Sequence, residues 1–198
     1  MAGGADSEAE PDPGVPTPAQ LARECQAGSR DAFAVLVAQF QERVYNFLLK
    51  MTGQPHDAED LTQETFLKAW QGIGRFDPQF SFSTWLFTIA KRTAFNHFRA
   101  RRLAVDPAEV PEVIDSSDPS SVLSHDEETR ELWRLARTLK PRQYQSLWLR
   151  YGEGFSVEEI AKILGVHRIH AKVLLHRGRG RLAMLLKPKL ERGSRANR

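Results

Sequence analysis

With 198 residues, 41% of them hydrophobic and 9% aromatic, the chain can bury a core of its own but is small for a large catalytic fold. It holds no run of the roughly 18 apolar residues needed to cross a bilayer, its first twenty residues contain neither Lys nor Arg, and its single cysteine, Cys25, can close no internal disulfide. These features predict a soluble, cytoplasmic protein with no signal peptide, no membrane insertion and no thiolate metal site.

The net charge of +3 hides a strong segregation along the chain. Residues 1–20 carry −4, 21–103 carry +3, 104–129 carry −8 and 130–198 carry +12. The pattern predicts an acidic tail over 1–20, a first domain over 21–103 and a flexible acidic linker over 104–123 with prolines at 107, 111 and 119. A basic second domain follows over 124–187, then a basic tail over 188–198. A basic block of this kind is an electrostatic footprint for a polyanion.

Taken in chain order, Phe33, Leu36, Val37, Phe40, Val44, Phe47, Leu48 and Met51 recur at steps of three and four and predict one long helix, stopped by Gly53 and Pro55. A second helix is expected over Asp57–Gln71, its first turn rich in carboxylates that suit the positive end of the dipole. After Gly72, Gly74 and Pro78 a third runs from near Ser83 through Arg102. The second domain reads as helices over Ser124–Thr138, Pro141–Tyr151, Ser156–Leu164 and Arg168–Leu186. No alternating β-branched run appears, so the expected fold is all-α, two small helical domains.

The most specific local signal lies in FSVEEIAKILGV followed by HRIHAKVLLHRGRGRL. Ser156 and Glu159 have capping-box spacing, Ile160, Ala161 and Leu164 turn inward, and Gly165 permits a tight turn, which is a helix-turn-helix pattern. In the next helix Ala171, Leu175, Gly178, Leu182 and Leu185 or Leu186 form the inward stripe, leaving His170, Lys172, Val173, His176 and Arg177 on the opposite face. Such a face fits a major groove, the cations reaching guanine or phosphate and Val173 a thymine methyl. His167, His170 and His176 do not share one helix face, so no zinc site is expected, and no nucleophile-base pair suggests catalysis.

In the first domain Asp57, Asp60 and Glu64, with Gln63 alongside, form an acidic stripe. On its own it reads as a solvated helix face with charges well placed near the helix N-terminus. Arg75, Phe76, Phe80, Phe82, Trp85, Phe87 and Phe95 interleave with Lys91, Arg92, Arg99, Arg101 and Arg102. That mixture suits either a single-strand binder, whose rings stack on bases, or an aromatic core with a basic rim.

DAEDLTQETFLKAW (57–70), FSTWLFTIAKR (82–92), SVEEIAKILGV and HRGRGRL, in this order and spacing, resemble the extracytoplasmic-function (ECF) sigma factors of bacterial RNA polymerase. The resemblance covers about residues 20–103 and 124–187. It implies two helical domains that recruit the RNA polymerase core enzyme to promoter DNA, the first melting the −10 element and the second reading the −35 element. It further implies that Asp57, Asp60, Gln63 and Glu64 dock on the core enzyme. Arg75, Phe76, Trp85, Lys91, Arg92 and Arg99 would engage the −10 strand, with Phe76 in the loop that cups a flipped base. Arg168, His170, Lys172, Val173, His176 and Arg177 would engage the −35 element, the acidic linker would occupy a basic channel of the polymerase, and an anti-sigma factor would be a partner. No cofactor is implied.

Two departures from the family pattern stand out. Arg92 replaces the usual Asn. The recognition-helix pattern Ser-x-Gly-Thr-Val-Lys-Ser-Arg becomes His167-Arg168-Ile169-His170-Ala171-Lys172-Val173-Leu174, so the last Arg is lost.

Overall fold

The computed structural model describes residues 16–104 and 127–196, and every regular element among them is helical. Two compact units result, the first built around α1–α4 and the second around α5–α8. Most of the expected linker, and the acidic tail before residue 16, lie outside the described residues.

The first helix, α1 (Pro18–Gln26), starts three residues inside the stretch expected as tail. Thr17 forms a capping box: its hydroxyl accepts from the Gln20 N–H at 3.2 Å, and Gln20 Oε1 accepts from the Thr17 N–H at 2.7 Å. Pro18 then sits at the first helical position, where its missing N–H costs nothing. Leu21, Ala22 and Cys25 are buried. Burial, and secondarily Glu24, push the Cys25 thiol up, so thiolate is scarce.

The long helix α2 (Arg30–Thr52) is capped by the Ser29 hydroxyl, which accepts from the Ala32 N–H at 3.1 Å, and ends at Gly53 in the left-handed region (φ 70°). Its expected stripe is largely core: Leu36, Phe40, Val44, Phe47 and Leu48 are buried, while Phe33, Val37 and Met51 lie at its half-buried margin. Helices α3 (Pro55–Gly72) and α4 (Phe82–Ala104) pack against α2 and each other. Phe40 meets Phe82 and Phe47 meets Phe87, at centroid separations of 5.4 and 5.3 Å.

In the second unit α5 (Glu127–Ala136) ends two residues before the expected Thr138, and the expected start at Ser124 lies outside the described residues. The expected helix from Pro141 divides into α6 (Pro141–Leu147) and a widened π turn, Trp148–Gly152, closed by the Glu153 N–H donating to Trp148 O at 3.1 Å. The turn seats the Trp148 indole, which packs on Trp133 at 4.8 Å and so near Gly152 that an added Cβ would come within 3.0 Å of it. Helix α7 (Val157–Leu164) follows, and α8 (Arg168–Ala196) continues well past Leu186, through most of the expected basic tail.

Helices α6 and α8 meet at Gly178, where an added Cβ would lie 3.2 Å from Leu147. Gly178→Val therefore overpacks this contact and should destabilise the second unit by about 1–3 kcal/mol. At Gly180 an added Cβ meets nothing within 4 Å, and Gly180→Ala should be neutral or stabilising by up to about 1 kcal/mol. Urea titration of the two variants measures the contrast; equal effects would remove the packing role of Gly178.

Candidate functional site

Phase places Ala58, Leu61, Thr65, Phe66 and Ala69 of α3 in the core, and so turns Asp60, Gln63 and Glu64 outward. Asp60 Oδ2 lies 3.2 Å from His56 Nδ1, and Glu64 Oε1 lies 2.6 Å from Lys68 Nζ. A backbone hydrogen bond, and after it Asp60, raise His56 above its ordinary value. Pairs this exposed contribute little to stability, so the carboxylates remain open to a stronger cationic partner. Leu67, 56% exposed, extends the stripe by one turn and gives it an apolar end.

Asp57 leaves this stripe. Its carboxylate points to the end of α4, 3.5 Å from both His97 Nε2 and Arg101 Nη1. That distance is long for a hydrogen bond, and the attraction to Arg101 is mainly Coulombic. Asp57 thus ties α3 to α4, which corrects its placement with Asp60 and Glu64 on the exposed face.

Along α4, Trp85, Arg92 and Arg99 recur every seventh residue and fall within about 40° of one line. Arg92, Asn96 and Arg99 are exposed, and Trp85 is half-buried. Lys91, about 100° round the helix from Arg92, lies on a half-buried flank instead. Phe95, 58% exposed, stands beside the cationic stripe.

The loop into α4 is fixed by its own hydrogen bonds. The Phe76 N–H donates to Ile73 O at 3.0 Å, Asp77 Oδ1 accepts from the Gln79 N–H at 3.0 Å, and the Ser81 hydroxyl accepts from the Thr84 N–H at 3.3 Å. From the end of α1, Gln26 Nε2 donates to Ile73 O at 3.0 Å and to Phe76 O at 2.6 Å. Arg75 is exposed on this loop. Phe76 is not: at 4% exposure its ring packs on Phe82 and Trp85 at 5.5 and 5.1 Å. The open stacking surface expected of Phe76 is therefore corrected to a core ring, packed under the first turn of α4 by Phe82 and Trp85.

In the second unit the Ser156 hydroxyl accepts from the Glu159 N–H at 3.2 Å, and Glu159 Oε2 accepts from the Ser156 N–H at 2.9 Å, completing the capping box. Gly165 takes the left-handed conformation (φ 64°) before α8. Arg168 Nε pairs with Glu158 Oε1 at 2.6 Å, which holds the first residue of α8 toward α7. Ala171, Leu174, Leu175 and Gly178 are buried, with Leu182, Leu185 and Leu186 half-buried further along. His170, Lys172, His176 and Arg177 are exposed, and Val173 is half-buried. Among the described residues no group of three His, Cys, Asp or Glu is placed to hold a metal ion, and no helix is long and apolar enough to cross a membrane.

Residues 36–104 match the family Sigma-70 region 2, and residues 129–182 match Sigma-70, region 4. The two regions occur in order, one in each unit. The chain belongs to the ECF family of RNA polymerase sigma factors. It is similar to the RNA polymerase sigma factor CarQ of Myxococcus xanthus, 35% identical over 80% of this chain and 91% of that protein. It is also similar to the ECF RNA polymerase sigma factor BldN of Streptomyces coelicolor, 34% identical over 84% of this chain and 65% of the relative's length. Among solved structures it resembles the sigma factor RpoE of Bartonella quintana, determined with the anti-sigma factor NepR. That match is 28% identical, covers 78% of this chain and 96% of the other, and has a TM-score of 0.68.

Within this sigma factor, sequence reasoning missed two residues of interest. Gln26 sits in a helix that was not expected, and Phe95 was one ring among many until its exposure separated it from the core. Phe76→Ala should cost the first unit about 3–5 kcal/mol, whereas Phe95→Ala should change its stability by less than about 0.5 kcal/mol. Chemical denaturation followed by circular dichroism distinguishes them; similar losses would mean that Phe95 is also a packing residue.

Proposed function

We propose that this sigma factor docks on the RNA polymerase core enzyme through the acidic face of α3, holds the unpaired −10 strand on α4, and reads the −35 element with α8. The domain over 21–103 carries the first two tasks, the domain over 124–187 carries the third, and the segment 104–123 links them. The protein acts in the cytoplasm as an initiation factor without catalytic chemistry of its own, and an anti-sigma factor is its regulatory partner. The observation that carries this reading is the division of charge within one packed unit. Helix α3 presents Asp60, Gln63 and Glu64, whereas its neighbour α4 presents Arg92, Arg99 and an exposed phenyl ring. A protein partner and a nucleic acid can then be held at once by different faces. The known structure of a related sigma factor with an anti-sigma factor supports the regulatory part.

Core binding without DNA is the direct test. The purified protein should bind core enzyme in the absence of promoter, and reversal of Asp60 and Glu64 to Lys should weaken that binding by about tenfold or more. Unchanged affinity in the double variant would remove α3 as the dock.

Melting is tested separately. Stacking of one base contributes about 1–3 kcal/mol, so Phe95→Ala should slow open-complex formation by roughly tenfold while core affinity stays constant. Permanganate reactivity of −10 thymines reports the opening; the same rate in parent and variant would remove Phe95 from the strand-holding face.

A further inference from the structure

The second residue of α8, Ile169, is 66% exposed, although nothing about an isoleucine favours water. Measured from the fully buried Ala171 at about 100° per residue, Ile169 and Val173 lie near 160° and 200°, one turn apart and opposite the core. Lys172 and His176 flank this two-residue apolar strip on one side, and His170 and Arg177 flank it on the other. The start of the helix is held in place. Arg168 is paired with Glu158 at 2.6 Å, and the Ile169 N–H donates to His167 Nδ1 at 3.4 Å.

A narrow apolar strip bordered on both sides by basic and imidazole groups is complementary to a duplex groove: phosphates or guanine acceptors for the borders, and a methyl group for the centre. In the major groove the only apolar group on a base edge is the thymine 5-methyl. Recognition helices use the residues of their N-terminal turns for such contacts, and Ile169 stands there. An apolar protein partner would have to meet the four flanking groups with its own acidic surface, whereas DNA supplies both chemistries together. The family pattern has glycine at this position, which offers no side chain for the contact.

We propose that Ile169 is a specificity-determining residue that reads the methyl group of a −35 thymine, with Val173 packing beside it. The assignment rests on the reading of α8 as the −35 helix and adds the base it selects and the group it touches.

The test replaces thymine by uracil, which removes the methyl and leaves every hydrogen-bonding atom of the edge. The −35 element is first obtained by binding-site selection with the core enzyme and the full chain. Each thymine in it is then exchanged singly, and affinity is measured for the parent and for Ile169→Ala, a change that suits a helix. Loss of one buried methyl contact should weaken parent binding by about fourfold at one thymine, and Ile169→Ala should show no loss there while responding as the parent does elsewhere. Ile169→Val should retain part of the effect. Equal uracil penalties in parent and Ile169→Ala at every thymine would overturn the proposal while leaving α8 as the −35 reader. A selected element without thymine would do the same. Absence of any −35 preference in the parent would overturn both the proposal and the reading of α8 beneath it.

Discussion

The arrangement of the first unit depends on how α3 lies against α4. At one end Asp57, in the first turn of α3, faces His97 and Arg101 near the end of α4; at the other, the Trp85 indole lies 3.5 Å from the position a Cβ would take on Gly72. The two helices are therefore antiparallel. Ala58 and Ala69 of α3 and Ala90 and Ala94 of α4 are fully buried, and side chains this small let neighbouring helices pack closely. Once those positions are committed to the core, phase leaves no choice about the remainder. The carboxylates of Asp60 and Glu64 on α3 and the guanidinium groups of Arg92 and Arg99 on α4 are turned into solvent on separate helices, and one helix pair offers two surfaces of opposite sign.

The loop between these helices is controlled from a distance. Its two carbonyls, at Ile73 and Phe76, are claimed by one Gln26 amide, and the Phe76 ring is clamped by Phe82 and Trp85. Arg75, between the two anchored carbonyls, is thereby presented on a short, held turn rather than on a wandering loop. The same construction explains why Phe76 contributes rigidity while the open ring is Phe95, three turns along α4.

Much of this was legible in the sequence, and the exceptions have physical causes. The long stripe of α2 and the Ser156–Glu159 capping box were readable because each follows from spacing alone. The cap at Thr17 was readable too, but it lay in an acidic, proline-rich stretch whose composition argued against a helix. Asp57 and Asp60 share a stripe by offset, and only tertiary packing shows that Arg101, with His97 beside it at the end of α4, draws the first of them away. Lys91 and Arg92 are neighbours in sequence, yet the 100° between them sends one to a half-buried flank. Phe76 sits in a turn with no period to set its direction, so its burial was beyond any phase argument. The π turn at Trp148–Gly152 is similar, since it answers to the bulk of one indole rather than to a repeat.

The substitutions in α8 acquire a common meaning once its faces are fixed. Leu174 stands where the family pattern carries arginine, and it is buried, about 60° from Ala171 at the edge of the inward stripe. A guanidinium there would have to extend along the helix surface to reach a phosphate, whereas leucine adds to the core that seats the helix. On the outward arc His170 replaces a hydroxyl residue between Ile169 and Ala171 and presents an imidazole there. At the centre of that arc, glycine and serine of the pattern become Ile169 and Val173. Charge has been lost from the margin of the helix and apolar shape has entered its middle. Phosphate contacts fix where a recognition helix lies but carry no sequence information, while contacts at the base edges do. With α8 as the proposed −35 helix, the changes in it bear on which promoter is chosen more than on how tightly DNA in general is held.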